Sequence, residues 1–379
     1  MPATTEQIID ALRPVEDPEL HRSIVDLGMV RDVAVTANGV SLTVVLTVPG
    51  CPLRNEIQNR VTGAVAPLAP NGNVSIDFGV MTDDERARVR EIVHGDPSST
   101  AGSNAAHGHA QGRAIPFAAK DSRTKPILVS SGKGGVGKSS VTTNLAVALA
   151  AAGQKVGVVD ADIYGFSIPR MLGADREPVV IDNMLLPPEA WGVRCISIGY
   201  FVPDGEAVIW RGPMLHKALE QFLTDVFWDE PDYLLIDMPP GTGDIALSLS
   251  QYLPKAEVLV VTTPQPAAQK VARLSAAMAK KVNLPVRGII ENMSWFTGDD
   301  GKRYELFGSG GGASLAEELG VPLLAQIPLV TALREGGDDG RPIAAVDPGS
   351  EAGSAFHRLA EEVLAMRPKR IFSSKLSLS

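Results

Sequence analysis

The residues with the most definite chemistry in this sequence are Gly132-Lys133-Gly134-Gly135-Val136-Gly137-Lys138-Ser139-Ser140, which satisfy G-x-x-x-x-G-K-[ST]. Glycine suits such a loop because a Cβ would obstruct both positive-φ turns and the close approach of a phosphate. Lys138 is then the candidate for the β- and γ-phosphates of a nucleotide, and Ser139 the candidate for Mg²⁺ through its hydroxyl. A phosphate cradle of this kind must stand between a buried strand and a helix N-terminus. Both are legible: Ile127-Leu128-Val129 precedes the glycines and a helical pattern from Val141 to Ala152 follows them.

From Lys125 onward, strand-like and helix-like runs alternate, which predicts an α/β fold: a mostly parallel sheet with helices on both faces. The expected strands are 127–129, 156–159, 233–236, 258–261, 286–290 and 323–327, short and continuously apolar as doubly covered strands are. Ligands of such sheets sit at the strands' carboxyl ends, so the polar residues there are the ones to read for chemistry. Asp160-Ala161-Asp162-Ile163-Tyr164-Gly165 follows one strand and Asp237-Met238-Pro239-Pro240-Gly241-Thr242-Gly243-Asp244 follows another. Asp237 reads as the Walker B carboxylate near Mg²⁺, Asp160 as support for the metal shell, and Asp162 as the group that orients an attacking water. The Pro-Pro-Gly-Thr-Gly run reads as a switch whose backbone senses the γ-phosphate. Taken singly, each aspartate also reads as a helix cap or turn residue. Together they predict ATP hydrolysis, with Lys138, Asp162 and Asp237 in the catalytic set.

These elements fill only the last two thirds of the chain. Residues 1–94 predict a small α+β domain: a helix over 5–12, a hairpin signalled by Asn38-Gly39 between two β runs, a helix after Pro52, a strand over 74–78, and a capping box at Thr82-Asp83-Asp84-Glu85. Residues 95–123 are rich in Gly, Ser, Ala and His and read as a flexible linker, whose His107 and His109 could bind a metal but in such a tract read as inert. Residues 124–379 form the nucleotide-binding domain. The chain of 379 residues is acidic, with a formal charge of −9 and pI near 5.3, which argues against a nucleic-acid partner. No signal peptide and no membrane-length apolar run is visible, so a cytoplasmic protein with no membrane partner is expected. Two cysteines, Cys51 and Cys195, exclude a disulfide framework.

Lys133 lies outside the general phosphate-loop rule, and with it the loop resembles the deviant Walker A of the MinD, ParA and nitrogenase-iron-protein class. That resemblance implies a homodimer sandwiching ATP, with Lys133 reaching the partner's nucleotide. Trp210-Arg211-Gly212-Pro213-Met214, Thr262-Thr263-Pro264-Gln265 and Glu291-Asn292-Met293-Ser294, with the two aspartate motifs, resemble the Mrp (ApbC) iron–sulfur cluster carrier ATPases from about Lys125 to Met366. The first domain resembles the iron–sulfur assembly domain often fused to them, through Asp17-Pro18-Glu19-Leu20, Asp26-Leu27-Gly28 and Thr47-Val48-Pro49-Gly50-Cys51-Pro52. The resemblance implies a carrier that transfers clusters to apoproteins or works with assembly factors, and an Asn292 that faces adenine. One departure is plain. Members of that family usually hold C-x-x-C between the Met-Ser and Phe-Gly-x-Gly-Gly-Gly segments, and here residues 295–306 contain no cysteine. A Thr-Gly-Asp-Asp turn cannot replace soft thiolates as iron ligands. Cys51 is left with two open readings: a helix N-cap thiolate, reactive or metal-competent, or a small buried apolar residue. Cys195, in mid-strand, reads as buried. The alternative to a carrier is a ParA/MinD-like switch that dimerises on ATP without cluster chemistry.

Overall fold

The computed structural model describes residues 3–48, 53–94, 114–119, 121–163, 165–202, 212–241 and 244–366. Cys51, Pro52, His107, His109, Tyr164, Trp210, Arg211, Thr242, Gly243 and the segment from Arg367 lie outside these residues.

The chain begins with α1 (Thr5–Leu12), opened by a capping box in which the Thr4 side chain accepts from the Gln7 backbone N–H and the Gln7 side chain accepts from that of Thr4. Strands β1 (Val30–Thr36) and β2 (Gly39–Leu46) form the expected antiparallel hairpin. Helix α2 (Arg54–Val65) turns Ile57, Val61 and Val65 inward, the period of an amphipathic helix. Its N-cap is Leu53; Cys51 and Pro52, on which the N-cap reading of Cys51 falls, lie outside the described residues. Strand β3 (Val74–Val80) pairs parallel with β2, and α3 (Asp83–His94) follows with the Thr82 N–H bonded to Glu85.

The larger unit opens with β4 (Lys125–Ser131), α4 (Lys138–Ala151), β5 (Val156–Asp160) and α5 (Ile168–Leu172). A short hairpin of β6 (Val179–Ile181) and β7 (Met184–Leu186) precedes β8 (Glu189–Ala190) and β9 (Val193–Ser197). Then come α6 (Gly212–Thr224), β10 (Tyr233–Asp237), α7 (Asp244–Tyr252), β11 (Glu257–Thr262), α8 (Pro266–Lys281) and β12 (Val286–Glu291). The described residues end with a second hairpin of β13 (Phe296–Thr297) and β14 (Arg303–Tyr304), α9 (Gly311–Leu319), β15 (Leu323–Gln326), α10 (Thr331–Asp338), α11 (Ile343–Val346) and α12 (Glu351–Ala365).

Eight strands form one sheet in the order β15-β12-β11-β4-β10-β5-β9-β8, and every pairing from β15 to β9 is parallel. Two features of this sheet place the chemistry. β4 and β5 are consecutive strands, yet β10 lies between them, so residues separated by many positions in sequence become neighbours. The register then sets Asp237 beside Asp160 on one side and Val129 on the other. Helix α4 packs over this centre with its residues from Val141 to Leu149 all buried, which is why its sequence is almost continuously apolar.

By contacts the chain divides into two compact units, one of residues 1–116, 175–189 and 217–229, the other of the remainder. The first is larger than the domain anticipated from sequence. Ile181, Met184, Leu186 and Phe227 join its core beside Ile8, Leu42 and Val61. Arg90 donates to Asp182 (2.8 Å) and Arg176 to Glu19 (3.4 Å) within the same unit. The linker expected to run to residue 123 ends earlier among the described residues: Pro116–Ala118 form a helical turn whose Phe117 is buried.

Candidate functional site: a phosphate loop facing buried carboxylates

The loop between β4 and α4 lines a cavity of about 390 Å³ together with Asp162, Gly165, Ser167, Met171 and Pro240. Gly137, the residue just before α4, sits at φ 79°, and a Cβ on it would lie 2.2 Å from Asn292 Nδ2. Gly132 is equally constrained, because a Cβ there would come within 2.1 Å of the α8 backbone at Val271. The loop is thus wedged between α8 and the end of β12, and only glycine fits at both ends. Lys133 is half-buried, Gly134 and Gly135 are exposed, and Val136 turns inward.

Lys138 is buried, with its ammonium 2.5 Å from Asp237 Oδ2 and 3.5 Å from Asp162 Oδ2. Asp237 is fully buried and accepts two further hydrogen bonds, from Ser139 Oγ (2.6 Å) and Thr142 Oγ1 (2.6 Å). One cation and two hydroxyls thus surround this buried carboxylate in place of water. Asp162 stands at the cavity wall. Burial raises its carboxyl above the usual range, the Lys138 charge opposes that, and the charge of Asp237 reinforces it. Asp160 sits behind both. Its Oδ2 accepts from the Ser167 and Ile168 N–H groups and from Ser197 Oγ, and its Oδ1 from the Asp162 N–H. Burial first, and the neighbouring Asp237 charge second, push Asp160 up to about 7. The bonds this carboxylate makes hold the turn that presents Asp162 and the start of α5.

Asn292 follows β12. Its Nδ2 donates to the Val136 carbonyl of the phosphate loop at 2.9 Å, while its Oδ1 accepts from the Met293 N–H. Three contributors escaped the sequence reading. Thr142 bonds Asp237 as above, and Asn144 ties the Ser140 carbonyl (2.9 Å) to the Ala344 N–H (3.0 Å). The sequence signal for both was polarity without purpose in an otherwise apolar helix. The third, Glu291, stands in the sequence only as part of the Glu291-Asn292-Met293-Ser294 motif, and the fold alone shows what surrounds it.

The donor set fits Mg²⁺. A hard divalent ion takes oxygen ligands and is usually held by one or two protein groups together with substrate phosphates. Ser139 and Asp237 supply those oxygens, and among the described residues no three His, Cys, Asp or Glu side chains converge to hold a metal unaided. An iron–sulfur cluster, which in a carrier is cargo, does not fit residues 293–312. In place of thiols that segment has a β-hairpin pinned by Glu351, which accepts from Trp295 Nε1 (2.8 Å), Thr297 Oγ1 (2.9 Å) and Arg303 (3.0 Å). The Arg303 guanidinium covers the Trp295 ring at 4.1 Å. Asp300 closes the hairpin turn by accepting from the Lys302 N–H and the Tyr304 hydroxyl. Cys195 is fully buried in β9, and burial pushes its thiol far up, with the charge of Asp160 adding to the shift.

A parallel sheet with a glycine loop at one strand end, and a buried Lys–Asp pair behind that loop, defines a P-loop nucleotide-binding protein. Comparison with known proteins agrees. A model of the "NUBPL iron-transfer P-loop NTPase" family matches residues 122–364, and one described as "Iron-sulfur cluster assembly protein" matches residues 5–77. The chain therefore belongs to the NUBPL-type iron-transfer P-loop NTPases, with an iron–sulfur assembly domain at its start. An "Iron-sulfur cluster carrier protein" of Mycobacterium leprae is 45% identical over 97% of this chain and 94% of its own. A protein of the same description from Synechocystis is 41% identical over 95% and 97%. Among solved structures, a nucleotide-binding protein from Archaeoglobus fulgidus in complex with ADP superposes with a TM-score of 0.52 at 34% identity, over 63% of this chain and all of that one.

Proposed function

We propose that this protein is an ATP-hydrolysing iron–sulfur cluster carrier of the NUBPL-type family, working as a nucleotide-gated homodimer and passing clusters to apoproteins. The observation that carries the nucleotide part is the Lys138–Asp237–Ser139 arrangement at the phosphate loop. Relatives described as cluster carriers over nearly the whole chain support the cargo.

In this reading the loop from Gly132 to Ser140 binds the phosphates, and Lys138 leaves Asp237 to neutralise them. Ser139 and Asp237 would hold Mg²⁺, which would supply charge compensation to the phosphates. Asp162, raised by burial and standing at the cavity wall, orients the attacking water. Lys133 acts across the dimer on the partner's nucleotide. Cluster cargo cannot rest on residues 293–312 and instead recruits Cys51, completed by thiols of a partner or a small molecule.

Anaerobic reconstitution with iron and sulfide, read by visible absorption and iron per dimer, tests the cargo. Weak, substoichiometric binding lost in Cys51→Ser and kept in Cys195→Ser is expected. A stoichiometric cluster surviving in Cys51→Ser contradicts the assignment. ATP binding with no iron uptake under any condition favours the ParA/MinD-like switch, the reading supported by the missing C-x-x-C.

A further inference from the structure

We infer that Glu291 is a positioning residue for the nucleotide, acting through Asn292; this rests on the nucleotide-binding reading above.

Glu291 ends β12 and is 1% exposed. Its carboxylate accepts from Ser294 Oγ (3.0 Å), Gln326 Nε2 (2.7 Å) and the Gly312 N–H in the first turn of α9. Among the described residues these are its hydrogen-bond donors, and all are neutral. A buried carboxylate without a cation is costly unless its lone pairs are filled. Here dipoles fill them: a hydroxyl, an amide and a helix N-terminus. Gly312 has to be glycine for this to happen, since a Cβ would lie 2.7 Å from the Glu291 Cβ.

The arrangement governs where Asn292 goes. The Glu291 backbone carbonyl accepts from the Ile327 N–H (2.8 Å) and Ser294 Oγ (3.0 Å), so the strand end is fixed against β15 and the turn is closed on itself. Met293 in that turn takes φ 56°, a conformation that costs a non-glycine residue energy and needs surrounding bonds to persist. With the turn held, Asn292 reaches the Val136 carbonyl, and its amide lies where only Gly137 could pass. One carboxylate therefore sets the side chain that braces the phosphate loop, and it also anchors α9, which follows the β13–β14 hairpin.

A double-mutant cycle on ATP affinity tests this, with Glu291→Gln, Asn292→Ala and the pair measured by calorimetry. Glu291→Gln puts an amide donor among donors and is expected to weaken ATP on the order of tenfold, about one hydrogen bond's worth. Turnover at saturating ATP should stay near wild type, because Asp162 and Lys138 are untouched. The decisive expectation is convergence: the double variant binds ATP no more weakly than Asn292→Ala alone. If Glu291→Gln fails to fold, Ser294→Ala removes one donor and keeps the carboxylate. It should weaken ATP in the wild-type background and not in Asn292→Ala. Losses that multiply in either cycle, or Glu291→Gln affinity within twofold of wild type, overturn the inference while leaving the P-loop reading intact. A wild-type protein that binds no ATP overturns both.

Discussion

Replacing Lys138 with alanine should do two separable things, and the structure sets the size of each. In the nucleotide-free protein Lys138 is the cation paired with Asp237, and both side chains are buried. Removing one partner of a buried pair leaves an uncompensated charge, at a cost of about 3–5 kcal/mol. The charge of Asp237 already pushes Asp160 upward, and without Lys138 that repulsion is no longer opposed. Chemical denaturation followed by circular dichroism reads this directly. Adding Asp237→Asn to Lys138→Ala should recover most of the loss, because the charge disappears while an oxygen remains for Thr142. The second effect is on ATP: each charge-assisted contact to phosphate is worth about 1.5–3 kcal/mol, or roughly 10- to 150-fold in affinity. Calorimetry checks it on the folded fraction. A Lys138→Ala protein within about 1 kcal/mol of wild-type stability refutes the buried-pair argument. One that binds ATP within twofold of wild type refutes the phosphate-loop assignment.

Asp162→Ala should leave ATP affinity nearly unchanged and stop turnover, because a water-orienting group acts mainly in the transition state; equal losses in both would make it a nucleotide-holding residue. Lys133→Ala should keep monomeric ATP binding and weaken ATP-dependent dimerisation or hydrolysis. Sedimentation with a non-hydrolysable analogue and a turnover assay check it, and two unchanged results would return Lys133 to an ordinary loop lysine. Asp160, raised to about 7 from 3.8, binds its proton more tightly in the folded chain than in the unfolded one. Its contribution to stability therefore falls as pH rises from about 4 to about 7 and stays low above that. Comparing nucleotide-free wild type with Asp160→Asn by denaturant titration between pH 5 and pH 8, set by roughly that window, should show the wild type losing ground with rising pH. Parallel curves would refute it. In a Cys51→Ser background, Cys195 should resist alkylation in native buffer and react fully in denaturant, as expected for a buried thiol held protonated. Rapid native labelling would show that β9 opens.

The glycine loop, its flanking strand and helix, and the aspartates at strand ends were all readable from sequence, for a local reason. Phosphate binding needs particular residue types at fixed short spacing, and a buried parallel strand must be continuously apolar. The absence of thiols from 295–306 was also legible, since it is a statement about composition. The extent of the first unit could not be read, because Ile181, Met184, Leu186 and Phe227 reach its core from distant stretches of chain. Tertiary structure alone put β10 between β4 and β5, and that single insertion brings Lys138, Asp160, Asp162 and Asp237 into one site. It alone showed that Glu291 lies at α9 and Asn292 at the phosphate loop, since the partners of a buried polar group are chosen by the packing around it.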